Sequence, residues 1–137
     1  MNRRTLMIAA AAAAILPLSL KAESIPYTPG LVDDRLAAGE TVFVDFYAPW
    51  CSTCRAQSRV IDRLKSENPA YEENITFVQV DWDTYKDEEL SRRLEIPRRS
   101  TLVVLQGNMQ LGRIVAGTAE ADIKALLDAA LAAASGA

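Results

Sequence analysis

The segment Thr41-Val42-Phe43-Val44-Asp45-Phe46-Tyr47 is β-branched or aromatic at every position but Asp45. Side chains alternate across a strand, so apolar residues at both odd and even positions mark a strand covered on two faces. Ala48-Pro49-Trp50 follows, and at Cys51 a helical pattern opens. Val60, Ile61 and Leu64 recur at helical spacing, and Pro69 closes the segment after Asn68. A doubly covered strand that runs straight into an amphipathic helix commits the chain to an α/β architecture, because that helix must fold back over the sheet.

The remaining elements extend this pattern. Thr28-Pro29-Gly30 reads as a helix start, with Thr28 as N-cap and Pro29 at the first helical position, and Leu31 to Ala38 as a short helix ended by Gly39. Ile75 to Val80 is a second strand, and Thr84 to Leu94 a charged helix. Thr101 to Leu105 is a strand joined through Gln106-Gly107-Asn108-Met109 to a hairpin partner, Gln110 to Val115. Ile123, Leu126, Leu127, Ala130, Leu131 and Ala134 form one helical stripe, with Thr118 as N-cap and an Ala-rich tail expected to fray after Leu131. The order α-β-α-β-α-β-β-α implies a mixed central sheet flanked by helices on both faces.

The first 22 residues have the form of an export signal. Arg3 and Arg4 precede an apolar run from Leu6 to Leu20, and cleavage is expected after Ala22 or after Ser24. An uncleaved anchor is the alternative, though the run is short for a bilayer, which needs about 20 apolar residues. Arg3-Arg4-Thr5-Leu6-Met7 resembles a twin-arginine signal, and general secretion remains open. Either route leads to an oxidising compartment, taken here as a bacterial periplasm. The mature chain is then a single domain over residues 25–134, more acidic than the −3 of the full 137 residues, because Arg3, Arg4 and Lys21 are lost. Nucleic acid is not an expected partner for so acidic a domain. With no histidine, Ser-His-Asp and Cys-His catalysis and His-ligated metals are excluded. Two cysteines cannot make a four-thiolate zinc site in one chain.

Both cysteines lie in Trp50-Cys51-Ser52-Thr53-Cys54, at a strand-to-helix junction. That placement points to redox chemistry. The thiolate is the nucleophile, and a helix N-terminus offers unpaired N–H donors and partial positive charge to hold it. The dipole contributes about 0.3–1 kcal/mol, less than one pKa unit. A larger drop must come from hydrogen bonds to the Cys51 sulfur, expected from the Cys54 thiol and nearby backbone N–H groups. Cys51 would attack a substrate disulfide, and Cys54, one turn on, would resolve the mixed disulfide. A structural disulfide and half of a metal site shared between chains are the alternatives. Asp45 breaks its apolar strand. A carboxylate covered on both faces should hold its proton more tightly than usual, and could exchange that proton with Cys54.

The run Val44-Asp45-Phe46-Tyr47-Ala48-Pro49-Trp50-Cys51-Ser52-Thr53-Cys54-Arg55 resembles the active-site segment of the thioredoxin family. Thr101-Leu102-Val103-Val104 and Ile123-Lys124-Ala125-Leu126-Leu127-Asp128 resemble its later strand and last helix. Trp50 should lid the cysteines and offer a flat apolar contact to substrate, or simply pack. The resemblance implies a thioredoxin-like fold, an Asp45 that serves proton transfer, and a residue before Thr101 that faces the cysteines. In the family that residue is a cis-proline. Here Ser100 stands there and Pro97 lies three residues earlier, so either residue could face the substrate. A non-proline cis bond costs about 2.5–4 kcal/mol, which favours a trans Ser100. Gln79 takes the place of the family's lysine near the buried Asp, and Arg59 that of its helix proline.

Ser52-Thr53 between the cysteines lacks both the proline of reducing thioredoxins and the histidine of strong oxidases; the missing histidine favours a reductant or a middling potential. Arg92, Arg93, Arg98 and Arg99 should flank the cysteines, where they could steer an acidic partner, or form a solvated surface. The expected function is an exported thiol-disulfide oxidoreductase that reduces or exchanges protein disulfides. A disulfide oxidase or a metal-binding or structural module on the same fold is the alternative. No cofactor is expected beyond the Cys51–Cys54 pair. The expected partners are disulfide-containing proteins and a membrane or exported thiol reductant, with the chain itself a monomer.

Overall fold

The computed structural model describes residues 24–136. The proposed leader, residues 1–22, lies outside the described residues. The elements are β1 (Ile25–Pro26), α1 (Leu31–Ala37), β2 (Thr41–Tyr47), α2 (Ser52–Glu67), α3 (Ala70–Asn74), β3 (Thr76–Asp81), α4 (Trp82–Tyr85), α5 (Glu89–Arg93), β4 (Thr101–Gln106), β5 (Met109–Val115) and α6 (Glu120–Ala134). The strands form one sheet in the order β1-β3-β2-β4-β5. β1, β3 and β2 run parallel, while β4 is antiparallel to β2 and β5 to β4.

β2 is the centre, as its residues require. Val42, Val44 and Phe46 point to one face, where they pack with Val32 of α1 and Leu90 of α5. Phe43 points to the other, against Ile61 and Leu64 of α2 and Leu127 of α6. Each face is thus closed by helices, and six of the seven β2 residues, Asp45 among them, are buried. Asp45 shares the α2 face, opposite Gln79 of β3 and Leu102 of β4.

Several local expectations are corrected. Gly30, not Thr28, occupies the cap of α1: it takes φ 89°, a left-handed backbone, and gives no side-chain cap. The expected helix from Thr84 to Leu94 is two short helices, each begun by an acidic cap. The Asp81 carboxylate accepts the Asp83 N–H and the Glu88 carboxylate accepts the Leu90 N–H. α3 was not anticipated; Asn68 Oδ1 accepts the Ala70 N–H at its start. Ala119 rather than Thr118 precedes α6, which runs on to Ala134. β1 is a two-residue edge strand, followed by a Tyr27 N–H that donates to the Gln79 carbonyl.

Gly112 in β5 sits under α6. A Cβ there would lie 2.7 Å from Leu126 Cδ1, inside contact distance. Gly112→Val should improve strand propensity yet lower stability by about 1–3 kcal/mol, because the buried Leu126 must move. Urea unfolding measures this, and a stabilised variant would contradict the close packing described.

Candidate active site

The loop from β2 delivers Cys51 to the N-terminus of α2. Cys51 is the N-cap, with extended backbone, and its Sγ accepts the Cys54 N–H at 3.2 Å. The Cys54 thiol donates to the same sulfur at 2.6 Å. Ser100 Oγ lies 3.1 Å from Cys51 Sγ and 3.0 Å from Cys54 Sγ. Both cysteines and Ser100 are buried. Burial pushes the Cys51 thiol up, but hydrogen bonds from the Cys54 thiol, Ser100 and the Cys54 N–H, with the nearby Arg99 side chain, outweigh it and bring the pKa down to about 7. Burial and the bond to Cys51 push the Cys54 thiol up. Cys51 is therefore the more acidic of the two thiols and Cys54 the less.

Beneath them Asp45 is held in the sheet. Its Oδ1 is buried without a hydrogen-bond partner. Burial raises its pKa to about 7; the Lys65 charge opposes the shift, while Cys51 and Asp62 add to it. Lys65 is itself buried and its Nζ lies 3.8 Å from the Phe77 ring centre. Burial holds the Lys65 pKa below its ordinary value. Gln79, Ser58, Asp62, Lys65 and Asp45 line one cavity. The cation beside the buried carboxylate thus comes from α2, and Gln79 on β3 faces Asp45 without charge.

Trp50 is 56% exposed. Its Nε1 donates to Asp83 at 2.7 Å, and the Arg99 guanidinium lies 4.3 Å from the ring centre. Pro97 is exposed, and no described peptide bond is cis. The residue that meets the sulfurs is Ser100, in a trans peptide at φ 64°. Of the basic stretch, Arg99 reaches the site, whereas Arg93 pairs with Asp33 and Glu89.

Sequence reasoning missed Gln57 and Lys65, and gave Arg99 no role of its own. Gln57 is fully buried, and its Nε2 donates to the carbonyls of Ser100 at 2.9 Å and Gly117 at 3.0 Å. A signal for two of them existed: Gln57 and Lys65 fall on the same buried stripe of α2 as Cys54, Val60, Ile61 and Leu64. A polar residue on an apolar stripe needs a partner. The sequence places Arg99 beside the cysteines with the rest of its basic stretch, but its stacking on Trp50 depends on a loop, and nothing local foretells that contact.

A buried dithiol with one acidified sulfur at a sheet-to-helix junction defines a thiol-disulfide oxidoreductase. The thioredoxin family model matches residues 28–129, and the chain belongs to that family. It is 31% identical over 85 residues to a thioredoxin of Echinococcus granulosus, covering 62% of this chain and 73% of that one. It is 30% identical over 88 residues to a bifunctional thioredoxin reductase/thioredoxin of Mycobacterium leprae, covering 64% of this chain and 18% of that protein. The crystal structure of Trxlp from Edwardsiella tarda superposes with a TM-score of 0.67 at 26% identity, over 76% of this chain and 97% of the other.

Alkylation of the reduced protein should follow a single ionisation near pH 7 and modify Cys51 first; a midpoint near the ordinary thiol value of about 8.5 would contradict the site described. Asp45 makes a stability statement as well. Its folded pKa is raised, so the stability it contributes is complete below the unfolded value of about 4 and is lost as pH rises through about 7. Asp45→Asn should therefore gain on the order of 2–4 kcal/mol over the parent at about pH 8 and nothing comparable at about pH 4, measured by urea unfolding.

Proposed function

We propose that the chain is an exported disulfide reductase, carried to the periplasm by residues 1–22, cleaved after Ala22 or Ser24, and working as a monomer over residues 25–134. The observation that carries the reductive chemistry is the pair of unequal thiols, with Cys51 near pKa 7 and Cys54 held above its usual value. The Cys51 thiolate attacks a disulfide of a client protein and forms a mixed disulfide, and one client thiolate leaves. Asp45 then takes the Cys54 proton, Cys54 attacks Cys51, and the second client thiolate departs. The client gains two electrons and the protein ends as the Cys51–Cys54 disulfide. A membrane-bound or exported dithiol returns the electrons. The exposed Trp50 face lines the approach for the client, with Ser100 buried against the sulfurs behind it and Pro97 on the same loop as Ser100.

Support for reduction over oxidation comes from the Ser52-Thr53 dipeptide, which brings no histidine to the thiolate. The alternative, a disulfide oxidase, draws on the donors gathered at Cys51, which stabilise the reduced form. Equilibration with glutathione buffers decides between them. A reductase should give a potential between about −270 and −180 mV, and a value near −120 mV would establish the oxidase instead. Insulin reduction driven by dithiothreitol should occur in the same protein and vanish in Cys51→Ser and Cys54→Ser. An inert protein that carries stoichiometric metal would overturn both redox readings.

A further inference from the structure

We propose that Ser100 is a catalytic residue whose hydroxyl hydrogen-bonds whichever sulfur carries the charge, Cys51 at rest and Cys54 during resolution; the second half rests on the dithiol cycle proposed above. Its Oγ stands 3.1 Å from one sulfur and 3.0 Å from the other, so a rotation of one O–H redirects the bond with no movement of heavy atoms. The position is fixed by its backbone. The Ser100 N–H donates to the Phe46 carbonyl at 2.7 Å, and the Ser100 carbonyl accepts from Ala116 N–H at 2.8 Å and from Gln57 Nε2 at 2.9 Å.

The backbone conformation sharpens the case. Ser100 holds φ 64°, a left-handed geometry that a residue with a Cβ adopts only where its surroundings dictate. Glycine would adopt it freely. Serine brings to this place one chemical group that glycine lacks, and that group lies between the two sulfurs.

The cycle balances without any proton leaving the serine. At rest Cys51 is the thiolate, Cys54 keeps its S–H, and the Ser100 O–H points to Cys51. When Cys51 bonds to a client sulfur, the client S–S bond breaks and the Cys51 charge is gone. Cys54 gives its proton to Asp45, and the hydroxyl turns to the new thiolate. Cys54 then bonds to Cys51, and the second client sulfur leaves with the electron pair of the broken bond.

The test uses Ser100→Ala and Ser100→Gly. The alanine variant removes the hydroxyl, and the glycine variant removes it while suiting the left-handed backbone. Thiolate absorbance against pH should place the Cys51 midpoint about one pH unit above the parent value of about 7 in both, a tenfold loss of thiolate at acidic pH. Mixing reduced protein with the aromatic disulfide dithiobis(nitrobenzoate) gives two releases of thionitrobenzoate, the first from Cys51 attack and the second from ring closure. The second should slow several-fold in both variants, since a hydrogen bond to a charged group is lost at Cys54. A Cys51 midpoint that stays within about 0.3 of the parent in both variants would overturn the proposal. A shifted midpoint with an unslowed second release would overturn the service to Cys54. The titration needs no client, so a protein that shows the shift but fails to reduce insulin would defeat the reductase reading and leave the Cys51 half standing.

Discussion

The first turn of α2 has N–H groups with no carbonyl to accept them, and a sulfur takes one. Much of the site follows from that contact. Because Cys51 Sγ caps the helix, negative charge on it is favoured by the same donors that let the helix start. Because the cap is a side chain on a loop of three residues from a buried strand, the sulfur cannot drift from the sheet. Arg55 Nη1 donates back to the Pro49 carbonyl and ties the turn to that loop. The second cysteine then falls one turn along, within reach of the first and shielded beneath it. Redox chemistry here is a property of a helix terminus, made specific by its neighbours.

Two layers of polar groups lie under that terminus, each with one buried oxygen left unpartnered, and they differ in what the rest of each group does. Gln57 spends its amide nitrogen on two loop carbonyls and fixes the segment that presents Ser100. Asp45 has a buried oxygen with no partner and a cation on the neighbouring helix. The first arrangement gives rigidity, because each bond restrains a loop that has no ladder of its own. The second leaves a carboxylate poised to hold or release a proton, because neither full burial nor full pairing wins. Helix α2 supplies both Gln57 and Lys65 from one face, so the alignment of that helix over β2 governs the loop and the proton together.

The parts legible in the sequence were those whose pattern repeats within one element. β2 announced itself by apolar residues on both faces, α2 and α6 by their stripes, and the dithiol by its spacing and place. Elements defined by partners elsewhere were not legible. β1 is two residues long and exists through its pairing with β3. The helix expected from Thr84 to Leu94 divides because Glu88 turns inward to cap Leu90 and to accept from the Tyr27 hydroxyl, a choice made by a residue 61 positions away. Ser100 could be marked as a departure from the family but not as a hydrogen-bond partner of both sulfurs. Its left-handed backbone is imposed by Phe46 and Ala116, which come from either side of it in the sheet.

Histidine is absent from this chain, so the range near neutrality, which histidine ordinarily occupies, is left to groups that burial and bonding have displaced. Cys51 and Asp45 both arrive at about 7, the thiol from above and the carboxylate from below. Each disfavours charge on the other, so the two titrate as a pair rather than as independent groups.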